Sequence, residues 1–347
     1  MQLIIDFVLY NIETANSLTL KPLPMSKYLL IIACIIFATS ACISTSKNTN
    51  RKYKGEVNMN AVALELPVGI RPDSLNNLSS TQDGGYILEK GFYEAEFKTY
   101  CLQPGTPDPS PRDAYLQSPV TGYRADIIES VLNNSGSKSD IKQKNVQLLL
   151  WSIVSNSNYN SLSKDVQSDA NRLLTSKQIF ELKGGWMNVA RTVSSSLPSG
   201  NGGIKRLFEM GTQSYEKFEK IAVLNEPSQI HRPDFKIDQW YQQEGGYYVR
   251  YFPVSYKSVK MQVYVPENVL DSAGKASGEY LVYNPTGMQV IPANSNAQRL
   301  GVGGTVIDII RKVVIINRDN KPAPKRVPEK KKEEKAPVRK KGEITVR

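Results

Sequence analysis

The chain has 347 residues, which is enough for one large or two ordinary domains. Its formal net charge is +11, but residues 321–347 hold eleven basic and four acidic residues, so the rest of the chain is close to neutral. The basic excess therefore belongs to a Pro-containing tail, and we expect no nucleic-acid partner. One histidine, His231, and three cysteines exclude a His-rich zinc site and a zinc ribbon, and we expect neither a metal nor a cofactor.

The N-terminal 42 residues have the order of an export signal. A start at Met25 is followed by Lys27, the apolar run Leu29–Phe37 and small residues that end at Cys42. The apolar core is shorter than the ~20 residues of a membrane-spanning helix. Small residues before a cysteine resemble the lipobox of bacterial lipoproteins, which implies that Cys42 is lipidated. We therefore expect an exported protein, anchored by lipid to the outer membrane, with the periplasmic face favoured over the cell surface. An uncleaved anchor is the alternative.

The chain after Cys42 begins with a polar tether, residues 43–60, and continues into a region of mixed structure, residues 61–226. Alternating patterns predict strands at 61–67 and 85–102, before a proline-rich loop at 104–111. Helical spacing then predicts a series of helices. They are expected at 123–135, 139–155, 164–174, 177–182, 187–195 and 204–224.

The periodicity changes from helix to strand past Pro227. Strands are predicted at 247–251, 259–265, 280–283 and 288–291, the last two around an Asn-Pro-Thr-Gly turn. The β-branched stretch 306–316 fits either strand or helix, and Gly301–Gly304 reads as a turn rather than an anion-binding loop. We predict an α+β fold with a strand region, a helical middle and a β-rich domain or subdomain at 227–318. Residues 319–347 are expected to be a disordered tail.

Cys101 is the only free thiol expected once the signal is removed and Cys42 carries lipid. A period of two places it on the apolar face of its strand with Phe97 and Thr99. The simpler interpretation is a buried, inert cysteine. A reactive thiol is the alternative, because an unpaired cysteine in an exported protein is unusual.

Gln147 lies in an apolar stripe of the helix predicted at 139–155. Leu150, Trp151 and Val154 follow it at i+3, i+4 and i+7, the spacing of one helix face. A buried primary amide is costly unless its hydrogen-bonding groups are satisfied. The sequence therefore demands a partner for the Gln147 side chain.

Two short motifs together resemble those of bacterial thioester domains. Tyr100-Cys101-Leu102 matches the strand motif, and Val146-Gln147 with Leu150-Trp151 matches the helix motif. The resemblance implies that the Cys101 thiol and the Gln147 side chain condense, with loss of ammonia, into an internal thioester. It also implies covalent capture of an amine-bearing surface, either a protein lysine or a polyamine.

Two classes of function follow for the chain. The first is a covalent adhesin or crosslinker that performs at most one acyl transfer per molecule, with Cys101 as leaving group and Gln147 as acyl donor. The second is a non-catalytic envelope lipoprotein that acts as a binding or scaffold module. In that case Gln147 caps a backbone group inside an ordinary core.

Overall fold

The computed structural model describes residues 57, 59–184, 199–271, 274–276, 279–307 and 309–316, all in a compact unit that begins at Gly55. The predicted signal with Cys42, the predicted helix at 187–195 and the predicted tail at 319–347 lie outside the described residues. Among the described residues, no helix is long and apolar enough to cross a membrane.

The helical part of the fold consists of six helices in the described residues. Their bounds are α1 Ala125–Gly136, α2 Gln143–Val154, α3 Lys164–Leu173, α4 Ser176–Leu182, α5 Ser199–Glu209 and α6 Tyr215–Ala222. Local capping fixes several of these ends, as where Thr175 and Gln178 form a capping box at the start of α4. Helix α2 is the most buried, since every residue from Val146 to Ile153 lies in the core. It packs against α1, α3, α5 and α6 as well as the sheet.

The strands form one large sheet and several two-stranded pairs. Their bounds are β1 Ala61–Val62, β2 Asp73–Ser74, β3 Tyr86–Ile87, β4 Gly91–Cys101, β5 Thr106–Pro107, β6 Tyr115–Ser118, β7 Val223–Leu224, β8 Trp240–Gln242, β9 Tyr248–Ser255, β10 Ser258–Val265, β11 Lys275–Ala276, β12 Glu279–Tyr280, β13 Val282–Tyr283, β14 Gln289–Pro292 and β15 Leu300–Thr305. The main sheet runs β1-β8-β9-β10-β4-β15-β14-β6, and β2 pairs with β4 in parallel. With helices on this sheet, the predicted α+β class is confirmed.

Strand β4 lies at the centre of the sheet, between β10 and β15. On one side, β10 pairs with β4 from the pair Gly91 and Val265 to the pair Lys98 and Ser258. On the other side, β15 pairs with β4, with Leu300 opposite Cys101. Strands from both sides of residue 226 therefore share one sheet. The division predicted at residues 226 and 227 separates stretches of sequence that are interleaved in the structure.

The long helix predicted over 204–224 is wrong, because the chain turns between α5 and α6. Gly211 has a φ of 69°, a left-handed conformation that glycine adopts without strain. Its N–H donates to Phe208 C=O, and Thr212 N–H donates to Leu207 C=O, which closes the end of α5. Both helices still present apolar faces to the core, where Phe208 and Phe218 lie 4.4 Å apart between ring centroids.

The turn predicted for Gly301–Gly304 is also wrong, since these residues lie in β15. Here α1 crosses the strand so closely that side chains do not fit. A Cβ on Gly304 would lie 2.5 Å from Gly136 Cα, and one on Gly301 would lie 2.8 Å from the Leu132 side chain. The glycines therefore allow a close helix-to-strand approach.

The stretch whose structure the sequence left open, residues 306–316, is mostly irregular where it is described. Strand β15 ends at Thr305, and an isolated bridge joins Val313 to Ser80. Ile310 is fully exposed. The β-branched residues of this stretch therefore form neither of the two elements considered from sequence.

Candidate functional site

The end of β4 leaves backbone groups that strand β10 does not reach. Pairing with β10 stops at Lys98, so Thr99, Tyr100 and Cys101 extend beyond it. Buried backbone N–H and C=O groups require partners. At Thr99 the turn between β9 and β10 provides one, because Thr99 N–H donates to Lys257 C=O over 2.8 Å.

Helix α2 supplies the remaining partners through two glutamines one turn apart. Gln143 Nε2 donates to Thr99 C=O at 3.1 Å and to Lys257 C=O at 2.7 Å. Gln147 Oε1 accepts from Cys101 N–H at 2.8 Å, and Gln147 Nε2 donates to Cys101 C=O at 3.0 Å. Four helical residues rise about 6 Å and two strand residues about 6.6 Å, so the two spacings match. The side chains therefore continue the hydrogen-bond ladder of the sheet.

Cys101 and Gln147 are thus in direct contact, and both are almost completely buried. Burial raises the pKa of the Cys101 thiol from 9.0 to about 12, while the Trp151 indole N–H and the Gln103 backbone N–H act in the opposite direction. The Asp108 carboxylate raises it further. Cys101, which forms no disulfide, therefore carries a protonated thiol at neutral pH.

Aromatic rings cover the site on the helical side. Trp151 is fully buried and stacks on Tyr215 at 5.6 Å and on Phe218 at 6.5 Å between ring centroids. Its indole N–H has no hydrogen-bond partner of normal geometry. These rings exclude water from the surroundings of the Cys101 thiol.

The other motif residues surround this contact. Val146 and Leu150 are buried in α2, and Leu102 N–H donates to Arg299 C=O in the sheet. Tyr100 is buried on the opposite face of β4 from Cys101, where Gly303 makes room for its ring. The strand motif therefore contributes the Cys101 thiol to this contact, and its neighbours serve packing.

A polar group beside the site was not predicted from sequence. Tyr215 and Tyr256 hydroxyls lie 2.9 Å apart, Tyr256 donates to the Glu219 carboxylate, and Lys257 Nζ lies 2.9 Å from that carboxylate. Tyr256 N–H donates to Asp108 at 2.8 Å. Because α6 and the β9–β10 turn are distant in sequence, no local motif indicates this arrangement.

Two further polar residues have contacts away from this site. Asp113 accepts hydrogen bonds from Ser110 N–H at 2.7 Å and from the Ser228 hydroxyl at 2.6 Å, which ties together the turn at 110–113 and the segment at 228. His231 is exposed and its N–H donates to Asn294 C=O. Within the described ranges, no three His, Cys, Asp or Glu side chains are grouped to hold a metal.

Comparison of the chain with protein-family models, with characterised proteins and with solved structures gave no match. The chemistry open to this site depends on its own residues. They provide the Cys101 thiol, the acyl carbon of a Gln147 amide that is hydrogen-bonded to the backbone of the same cysteine, and a backbone N–H bound to that amide's oxygen.

Proposed function

We propose that this protein is an envelope lipoprotein with an internal thioester between Cys101 and Gln147, through which it captures primary amines covalently. The observation that carries the proposal is the paired hydrogen bond between the Gln147 side chain and both backbone groups of Cys101. The lipid anchor at Cys42 is proposed from the sequence alone.

The paired hydrogen bond favours attack by sulfur. Hydrogen bonds of a sheet lie in its plane, whereas strand side chains stand roughly perpendicular to it. A Gln147 amide bonded to both backbone groups of Cys101 lies near that plane, so one face of its carbonyl is turned to the side on which the Cys101 side chain stands. Well-oriented neighbouring groups reach effective concentrations of about 10⁵–10⁸ M.

Formation of the thioester is balanced by the thiol's own proton. The Cys101 sulfur bonds to Gln147 Cδ, the Cδ–Nε2 bond breaks, and the thiol proton leaves with the nitrogen as ammonia. Negative charge on Oε1 in the transition state is stabilised by Cys101 N–H, already 2.8 Å from that oxygen. The buried surroundings protect the product from hydrolysis.

In amine capture the Cys101 sulfur is the leaving group, whereas in thioester formation it is the nucleophile. A primary amine adds to Cδ, the carbon–sulfur bond breaks, and an amide to Gln147 forms while the thiol is restored. Departure of Nε2 leaves Cys101 C=O without its donor, so an incoming amine N–H takes the same place. This favours primary amines such as lysine side chains, polyamines or methylamine.

A binding or scaffold module without chemistry is the second candidate. The same two hydrogen bonds favour it, because they give both polar atoms of the Gln147 amide a partner at Cys101 and explain its burial without a reaction. On this alternative, Gln147 completes the sheet at the end of β4, and Cys101 is a packed thiol.

Intact mass of freshly purified full-length protein separates the two candidates. A thioester makes the protein lighter than calculated by one ammonia and makes Cys101 resistant to alkylation under denaturing conditions. Methylamine then restores the thiol and adds to Gln147. A full mass with an alkylatable Cys101 in denatured protein would exclude the thioester and leave the binding module.

Cys101→Ala is the matched control for this measurement. It removes the sulfur but keeps the backbone N–H and C=O that bind Gln147. We expect the variant to have its full calculated mass and to take up no methylamine. Uptake by this variant would place the reactive group elsewhere.

A further inference from the structure

Acyl transfer at a site this buried requires a route for proton transfer. The attacking amine must lose a proton, and the Cys101 sulfur must gain one, because burial makes its thiolate unfavourable. Cys101 and Gln147 themselves provide no base for this transfer. A polar route beside the site is the tyrosine–glutamate chain, which we define as Tyr215, Tyr256 and Glu219.

The tyrosine–glutamate chain connects the site to solvent. At the inner end, Tyr215 stacks on Trp151 at 5.6 Å between ring centroids, and Trp151 lies one helical turn beyond Gln147 in α2. At the outer end, Glu219 binds Lys257, whose side chain is 53% exposed. The hydroxyls of Tyr215 and Tyr256 join these ends.

We propose that the tyrosine–glutamate chain is a proton relay that moves a proton between the amine nitrogen and the Cys101 sulfur. The inference rests on the proposed thioester. It names the residues that move the proton in that reaction.

The relay is balanced and returns to its starting state. As the amine adds to Gln147 Cδ, a nitrogen proton passes to Tyr215, the Tyr215 proton passes to Tyr256, and the Tyr256 proton passes to Glu219. The reverse shift delivers a proton to the sulfur as the carbon–sulfur bond breaks. The products are an amide and a thiol, and the three relay residues are unchanged.

The ionisation states of the relay residues suit this role. Partial burial raises the pKa of Glu219, but hydrogen bonds from Tyr256 and Lys257 outweigh it, so its pKa is lowered and the carboxylate is ionised. Burial raises the pKa of Tyr256, and the Glu219 carboxylate raises it further, so the hydroxyl stays protonated. A neutral hydroxyl beside a carboxylate passes protons without becoming a stable anion.

The test uses the full-length protein with methylamine as the probe, and begins with the mass deficit of each variant. Tyr256→Phe and Tyr215→Phe each remove one oxygen, and Glu219→Gln keeps the shape of the side chain. A deficit in these variants shows that the site is assembled. We then expect methylamine capture to slow by about tenfold or more.

Two controls match these changes. Glu216→Gln alters an exposed carboxylate on the same helix, α6, that hydrogen-bonds to Ser214. Tyr159→Phe removes a hydroxyl bonded to Gln167 C=O. Both should capture methylamine within about twofold of the wild-type rate.

The pH profile separates a relay from a structural role. Methoxyamine is a weakly basic probe, and each capture rate is divided by the fraction of the probe that is unprotonated at that pH. The corrected wild-type rate should fall as acid protonates Glu219, whereas Glu219→Gln should be slow without that fall. The charged or titratable groups facing Glu219 are Lys257 and Tyr256 on the turn, Asp108, Tyr215 and Glu216. The capture rate of Asp108→Asn should still fall in acid as the wild-type rate does, which assigns this fall to Glu219.

Failure of the relay and failure of the thioester give different results. A mass deficit together with wild-type capture rates in Tyr256→Phe and Glu219→Gln would overturn the relay and leave the thioester intact. A wild-type protein of full mass would overturn both. A deficit with slow capture and an altered pH profile would support both.

Discussion

The Gln147 side chain binds both backbone groups of Cys101, the residue with which it is proposed to react. The contact therefore has a structural consequence whether or not the chemistry occurs. It satisfies two backbone groups where β4 extends past β10, and it holds the Gln147 amide against the backbone of the cysteine that carries the thiol. Experiments on the site must separate these two contributions.

Stability measurements should show an asymmetry between the two residues. Gln147→Ala leaves a buried N–H and a buried C=O of Cys101 unpaired, at about 1–3 kcal/mol each, or about 2–6 kcal/mol in total. Cys101→Ala keeps both hydrogen bonds and should cost about 1 kcal/mol. Urea unfolding of both variants measures the difference.

Loss of a thioester crosslink does not confuse this comparison, because both variants lack it. The difference between them therefore reports the loss of the Gln147 amide, which combines its two hydrogen bonds with its packing. Equal unfolding free energies for the two variants would contradict the observed pairing.

The stability of protein with a free Cys101 thiol should fall at alkaline pH. Burial raises the pKa of this thiol from 9.0 to about 12. Between pH 9 and pH 12 the thiol therefore ionises in the unfolded chain but stays protonated in the folded protein. Stability is fully present below pH 9 and is lost by about 1.4 kcal/mol per pH unit up to pH 12.

The measurement compares methylamine-treated protein with Cys101→Ala by urea unfolding between pH 8 and 11. Tyrosines and lysines titrate in both proteins, so the difference between them isolates the thiol. A difference that does not change with pH would show that the thiol is solvated or otherwise stabilised as a thiolate.

Cys42→Ser should release the protein from membranes. The order of Lys27, the apolar run and the small residues before Cys42 predicts an acylated N-terminus after a start at Met25. Fractionation of cells that express the wild type and the variant measures the effect. Equal membrane content would refute the lipid tether.

Local patterns were enough to predict both halves of the candidate site. The period of two in β4 placed Cys101 on an apolar face, and the helical spacing of α2 placed Gln147 in a buried stripe. What they did not indicate is the match between the rise of α2 and the rise of β4, through which Gln143 and Gln147 bind alternate strand residues. That relationship depends on where β10 begins, because its first residue, Ser258, pairs with Lys98.

The remaining features depend on contacts between distant segments. Tyr256 reaches Glu219 because the β9–β10 turn meets α6, and neither segment carries a motif for that pairing. The glycines of β15 were mistaken for a turn, because glycine composition is the same in a turn and under a closely packed helix. The crossing of α1 over β15 is what requires them.

Gly304→Ala should therefore destabilise the fold through the contact between α1 and β15. Its new Cβ would lie 2.5 Å from Gly136 Cα, and because the obstacle is backbone, helix and strand must separate. Overpacking of this kind costs about 1–3 kcal/mol.

Gly202→Ala is the control, since this glycine of α5 is exposed and an added Cβ meets nothing within 4 Å. Alanine there should stabilise by about 0.5–1 kcal/mol through helix propensity. Urea unfolding should thus move in opposite directions for the two variants, and an unchanged midpoint for Gly304→Ala would contradict the close crossing of α1 over β15.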